Sequence, residues 1–231
     1  MTWKEIPISK IDPSTYPNFY RRNSIFSTVV DGHVFYSDNS VGYFDVFYEK
    51  IDDGCWLMAI EIYSKSDNHY VVRPKKAKAD YFSINIFSSQ KHKQRAENQG
   101  LVGSGNLVRF MAPGMGFDCY QPEGTILKVC RLIFSHEYLG KLVYSDKKTK
   151  SEDEIVSLSE FYNAINITRK AASVEILIQS RLLNVLRHER GKHYYKSSIY
   201  SDFFQLATFF LNFRCERKWG YLPGNIAKTL S

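Results

Sequence analysis

The stretch Asn106–Leu139, NLVRFMAPGMGFDCYQPEGTILKVCRLIFSHEYL, decides how the rest of the chain is read. It opens with an apolar-rich run, Leu107–Met111. Turn-forming residues follow at Pro113, Gly114 and Gly116, and a second break falls at Pro122-Glu123-Gly124. Thr125–Phe134 is β-branched or aromatic at Ile126, Val129, Ile133 and Phe134, which favours a strand. The run ends at Ser135, a residue suited to capping a helix, with Glu137 in the first turn where the helix dipole favours negative charge. The pattern predicts a strand, a tight connection, a second strand, and a short helix near His136–Leu142. It marks the passage from a β-rich half to a helical half.

Toward the N-terminus, Pro7, Pro13 and Pro17 interrupt residues 1–30, which read as irregular. A short strand is expected at His33–Tyr36, after Asp31-Gly32. Another is expected at Val41–Glu49, closed by Asp52-Asp53-Gly54, a hairpin-type turn signal. Cys55–Ser64 is amphipathic with a two-residue period: Trp56, Met58, Ile60 and Ile62 share one face, Glu61 and Tyr63 the other. His69–Pro74 is a further short candidate. Tyr81–Phe87 alternates again, with Phe82, Ile84 and Ile86 opposed to Ser83 and Asn85. The polar segment Ser88–Gly105 carries Lys91-His92-Lys93-Gln94-Arg95 and reads as a long, solvated loop. Short antiparallel strands with turns at this spacing imply a barrel or a sandwich.

Beyond Leu139 the period changes. Asp146–Asp153 is a charged connector, and Glu154–Ile167 is expected to be helical in part. In Ala171–Glu189, Val174, Leu177, Ile178, Leu182, Val185 and Leu186 recur at three- and four-residue steps, which predicts a helix ending at Gly191. Its apolar arc is wide, so one side can face the strands and another a partner subunit, or all of it can pack within the monomer. After a polar break at Lys192–Ser201, Asp202 with Gln205 resembles a capping box. It opens a helix to about Cys215 with Phe204, Ala207, Phe210 and Leu211 on one arc.

Composition narrows the function classes. Apolar residues at 44% and charged residues at 24% are ordinary for a soluble globular chain, and 231 residues suffice for a sizeable core. No apolar run approaches the roughly 20 residues needed to cross a bilayer. The start MTWKEIPISKID has no long apolar segment of the secretory kind, so a cytoplasmic protein without a membrane partner is expected. Cys55, Cys119, Cys130 and Cys215 are widely spaced, and the six histidines form neither H-x-H nor H-E-x-x-H. Neither a disulfide scaffold nor a metal site is expected. The net charge of +7 permits a nucleic-acid partner without implying one.

Three segments together resemble the AraC-type transcriptional regulators with a cupin-like sensor half. IDDGCWLMAIEIYS and YFSINIFSS look like paired sensor strands. FMAPGMGFDCYQPEGTILKVCRLIFSHEYLGKLV looks like the barrel-closing strand, with the I-x-F-S-x-E-x-L ending matched by Leu132–Leu139, Glu137 and Leu139 in place. The Ala171–Glu189 helix, with DFFQLATFFLNFRCERKWGYLPGNIAKTLS, looks like the linker helix and the start of a DNA-binding region. There Leu222–Ser231 meets the family's L-A-x-x-x-x-x-S pattern only at Ile226, Ala227 and Ser231.

The resemblance implies an α+β fold, an antiparallel cupin-like β-barrel followed by a C-terminal helical segment. Residues 1–145 would form the ligand-sensing barrel, 146–200 the linker and dimerisation helices, and 201–231 the start of a truncated helix-turn-helix region. DNA would be contacted only through a C-terminal region not present in this chain, because the recognition helix of the motif is missing. The expected role is the sensing and dimerisation portion of such a regulator, a homodimer that binds a small organic effector without metal or cofactor and without catalytic residues. Trp56, Met58, Phe82 and Ile84 are the candidate apolar contacts, with Arg73 or Arg109 for an anionic group. Val174, Leu177, Ile178, Leu182 and Val185 are the candidate dimer residues. The alternative is a cupin-like enzyme acting on a small molecule, which needs convergent His, Glu or Cys groups in the barrel. A third reading is a general interaction or carbohydrate-binding β-domain, marked by an exposed aromatic patch.

Overall fold

The centre of the fold is a strand with no glycine or proline in it. Strand β10 (Ile126–Ser135) pairs in full antiparallel register with β5 (Cys55–Ser64) on one side and β7 (Tyr81–Gln90) on the other. The computed structural model describes residues 4–8, 28–30, 32–38, 42–72, 81–90, 106–112, 117–144 and 167–220. Beyond β5 lie β4 (Gly42–Asp52), β3 (His33–Asp38) and β2 (Thr28–Val30). Beyond β7 lie β8 (Leu107–Met111) and β11 (Ile167–Lys170). The result is an eight-stranded antiparallel sheet of order β11-β8-β7-β10-β5-β4-β3-β2. A second sheet joins β1 (Lys4–Ile8), β6 (Asn68–Val72) and β9 (Phe117–Gln121), with β1 parallel and β9 antiparallel to β6.

The β4–β5 hairpin turns at Asp53-Gly54, as the sequence signal requires. Gly54 takes a φ of 76°, and a Cβ there would meet the Ser135 hydroxyl at 2.2 Å, so no other residue fits without a shift. Ser135 in turn donates its backbone N–H to Gly54 O, and its hydroxyl accepts the Tyr138 N–H at the start of helix α1 (His136–Tyr144). Helix α2 (Ser173–His188) opens with Glu175 reaching back to the Ala172 N–H, and α3 (Tyr195–Gly220) follows after a short turn.

Both faces of the large sheet are covered. On one, Leu57, Phe82, Ile84, Cys130, Leu132 and Phe134 pack against α2 and α3 through Ile178, Leu182, Phe203 and Phe210. On the other, Met58, Ile60, Val129 and Ile133 pack against Tyr70 and Cys119 of the small sheet. The fold is therefore mixed α+β, with a large antiparallel sheet.

Several expectations change. Among the described residues the two sheets share no strand pairing, in place of the closed barrel that the resemblance implies. Residues 1–30 contain β1 and β2, β9 lies between the two predicted turns, and β11 adds an edge strand within the segment read as a linker. Asp202 is not a cap. It sits inside α3, buried, and binds Arg181 of α2 through both carboxylate oxygens. The boundary drawn at 200/201 thus falls within a continuous helix, and Phe204, expected on the buried arc, is exposed while Phe203 is buried. Arg73, Lys91–Arg95, Pro113–Gly116, the predicted helical part of 154–166 and Leu222–Ser231 lie outside the described residues, as do the side chains beyond Phe210. No helix among the described residues is long and apolar enough to cross a membrane.

Phe110 of β8 stacks between Phe82 of the sheet and Phe210 of α3, with ring centroids 5.8 and 5.3 Å away. Phe110→Ala should therefore cost about 3–5 kcal/mol by leaving a cavity at this junction. In urea unfolding the midpoint should fall with the slope unchanged.

Candidate functional site

The register of the large sheet lines up a polar row that the two-residue period alone does not reveal. Arg131 of β10 lies opposite Asn85 of β7, and Asn85 lies opposite Arg109 of β8. Met58 of β5 and Tyr48 of β4 continue the row on the far side of Arg131. Cross-strand partners point to the same face, here the one covered by the small sheet. Arg131 and Arg109 are 7% and 8% exposed, and Asn85 and Ser83 are fully buried.

The row is tied together at its middle. Arg131 donates its Nε–H to Asn85 Oδ1 at 2.5 Å. The Asn85 amide donates to Ser83 Oγ at 3.0 Å and to the Arg109 carbonyl at 3.4 Å. A guanidinium has five N–H donors and does not lose its proton. Among the described residues Arg131 uses one of those donors and faces no carboxylate. Arg109 acts across the inter-sheet space. Burial pushes the Cys119 thiol of β9 up to about 12, and the Arg109 charge works against that rise. Taking a cation out of water costs several kcal/mol unless an anion faces it, so Arg131, bonded here to a neutral amide, is chemically suited to meet one.

Charge on the opposite face of the sheet is organised in the reverse way. There Asp45 and Glu49 of β4 and Glu61 of β5 point toward α2 and are paired. Arg187 reaches Asp45 and Glu61, each at 3.2 Å, and Arg190 reaches Glu49 at 3.1 Å. His33 bonds Asp45 at 2.8 Å and stacks on Phe47; Tyr43 donates to Glu61 at 2.7 Å. Further along α2, Gln179 is fully buried and donates to two strand carbonyls, Ile86 O at 2.8 Å and Lys128 O at 3.1 Å. At its first turn Glu175 is held by both terminal nitrogens of Arg169 in β11. Helix α2 is thus fastened to the sheet at its start, middle and end.

The sequence-derived candidates divide between these faces. Trp56, Met58 and Arg109 lie on the inter-sheet face. Phe82 and Ile84 lie on the helix face, in the core with Leu132 and Phe134, and are not brought to the row. Of the dimer candidates, Ile178, Leu182 and Val185 are buried against the sheet and α3, whereas Val174 and Leu177 are exposed, Leu177 at 68%. Arg131, Asn85 and Ser83 are the residues that periodicity left out. Their signal was present: one arginine inside the apolar run Val129–Phe134, and an asparagine between two isoleucines. Among the described residues no three His, Cys, Asp or Glu side chains come together as metal ligands would.

No protein-family model and no curated protein matches this chain. Among solved structures it is similar to a GH30 endoxylanase from Clostridium papyrosolvens C71, at 9% identity and a TM-score of 0.20, over 45% of this chain and 24% of that one. The chain spans about a quarter of that enzyme, and a likeness at this level carries no argument about fold or activity.

The ion pairs that hold α2 give a pH dependence. Burial pushes the Glu61 carboxyl up, but hydrogen bonds from Arg187 and Tyr43, with the charges of Arg187 and Lys128, bring it below its ordinary value of 4.5. A carboxyl depressed in the native state stabilises fully above its unfolded value, and the contribution is lost as pH falls through the lower native one. Glu61→Gln should therefore flatten the loss of thermal stability between about pH 5 and pH 3, and cost about 1–3 kcal/mol at neutral pH.

Proposed function

We propose that this chain is the effector-sensing and dimerising part of an AraC-type transcription regulator, with the two stacked sheets as its cupin-like sensor and the space between them as the effector site. It would act in the cytoplasm, and DNA contacts are assigned to none of the residues present. One observation carries the reading. The strands β7 and β10, which bear Asn85 and Arg131 on their inner face, hold α2 on their outer face through the Gln179 bonds to Ile86 O and Lys128 O. Ile86 is the residue next to Asn85 in the chain.

An effector that binds the inner row more tightly in one arrangement of β7 and β10 biases the seat of α2 by that difference in affinity. Helix α2 leaves Val174 and Leu177 on its solvent side, which is the strip through which two copies would meet. The resemblance to the linker helix of these regulators supports the same assignment.

Sedimentation of the purified chain tests it. A dimer is expected, and Leu177→Glu should dissociate it into folded monomers, because Leu177 makes little contact within the chain. Leu182→Glu should instead unfold it, since Leu182 is fully buried. A parent chain that sediments as a monomer removes the dimerising role.

A further inference from the structure

We infer that the turn between α2 and α3 is an interaction surface for the phosphate backbone of a nucleic acid duplex, made by Lys192, His193 and Lys196 around Tyr194. The inference goes beyond the reading above, which gives these residues no DNA contact, and does not depend on it.

The chain's net charge of +7 is concentrated at this turn. Residues 187–196, RHERGKHYYK, hold Arg187, His188, Arg190, Lys192, His193 and Lys196 against one acid, Glu189. The fold sorts these groups into two sets. Arg187 and Arg190 turn inward onto the sheet, Arg187 to Asp45 and Glu61, and Arg190 to Glu49 at 3.1 Å and the Tyr48 carbonyl at 3.3 Å. The Arg190 guanidinium also lies over Gly32, where a Cβ would collide with it. Tyr195 donates its hydroxyl to the same Glu49 at 3.1 Å. His188, Lys192, His193 and Lys196 are exposed, and among the described residues none of them meets a carboxylate. Glu189 is occupied by the Asn184 amide at 3.3 Å and by the Tyr194 hydroxyl, and the first turn of α3 carries no acid.

The inner set holds the outer set still. The Gly191 and Lys192 N–H groups both donate to Glu189 O, at 3.0 and 2.9 Å, and the Tyr195 N–H donates to Lys192 O at 3.0 Å. The result is an anchored turn that carries unpaired cations on a surface. A small ligand needs a concave site that encloses it, whereas an extended polyanion needs only a fixed array of cations to displace its counterions. A membrane surface shares the charge, but segments that settle on one carry Trp, Phe or Leu to enter it. Here the exposed ring is Tyr194, 40% exposed, with its hydroxyl held by Glu189 and its ring edge to face with His193 at 5.3 Å. Ammonium groups act as point charges and carry no base code, so the contact is to phosphate and independent of sequence.

The test is fluorescence anisotropy of the full-length chain with a short labelled DNA duplex across a salt series. Binding is expected, with an affinity that falls steeply as salt rises. Each phosphate contact contributes about 0.9 to the slope of log affinity against log salt, so Lys192→Gln with Lys196→Gln should flatten it by about 2. At low salt the same pair should weaken binding about tenfold or more. Lys65→Gln with Lys170→Gln removes equal charge from exposed positions away from the turn and should leave the slope unchanged. Both pairs should melt with the parent. No binding by the parent, an equal loss in the control pair, or tighter binding to vesicles of anionic lipid than to the duplex overturns the inference. So does a Lys192/Lys196 double variant that melts well below the parent, which identifies the lysines as structural. The measurement involves neither effector nor dimerisation. A monomeric chain that binds the duplex through these lysines refutes the dimerising regulator and retains this surface, and a dimer that ignores the duplex does the reverse.

Discussion

Strand β10 is covered on both of its faces and paired on both of its edges, and the rest of the molecule answers that constraint. From Val129 to Phe134 a strand in that position has little route to water, so every second residue must suit a helix and every other one a second sheet. Cys130, Leu132 and Phe134 meet the helices. Leu127, Val129 and Ile133 meet the small sheet, and Arg131 stands among them. The helices and the three-stranded sheet are the two covers that make ten residues of mostly apolar backbone ladder tolerable. The fold is three layers deep at this point because its central strand demands it.

The same constraint sorts the charges. On the helix side of the large sheet Asp45, Glu49 and Glu61 look toward α2 and are met by Arg187 and Arg190, with Lys128 beside Glu61, while Arg109 and Arg131 look inward. Paired charges at the helix side serve attachment, since removing either partner would leave the other half-buried and alone. An inward guanidinium bonded to a neutral amide serves attachment poorly. Stability is better served by an apolar residue of similar size, so the arginine at position 131 is a feature that folding alone does not select.

How much of this was legible depends on what each residue type reports. The runs that became β5, β7 and β10 are ten residues long and free of breakers, and their alternation fixed which residues share a face. Alternation does not say what covers a face. Ser83 and Asn85 look like the solvent side of an amphipathic strand, and they are buried because β6 and β9 lie over them. The strands β1, β2, β9 and β11 are three to five residues long and too short to show a period. On α2 the buried arc is turned away from Val174 and Leu177, because Glu175 and Gln179 occupy it through their bonds to Arg169 and to the strand carbonyls. Hydropathy reads those two as surface. Asp202 misled for the same reason: an acid before two phenylalanines resembles a cap, and its use as an interhelical anchor depends on Arg181, twenty-one residues earlier.

The strand order has a kinetic side. The middle of the sheet runs β7-β10-β5, so the two strands made earlier, β5 and β7, do not pair with each other and wait for β10, the tenth of the described strands. Until it arrives each presents an open edge with apolar residues on both faces, the kind of surface that templates association between chains. Contacts so far apart in sequence also close slowly, since the loop entropy must be lost before the pairing is gained. The Gly54–Ser135 contact, which joins the β4–β5 turn to the end of β10, marks the moment at which that exposure ends. A glycine required for its backbone freedom thereby also ties an early hairpin to the strand that completes the sheet.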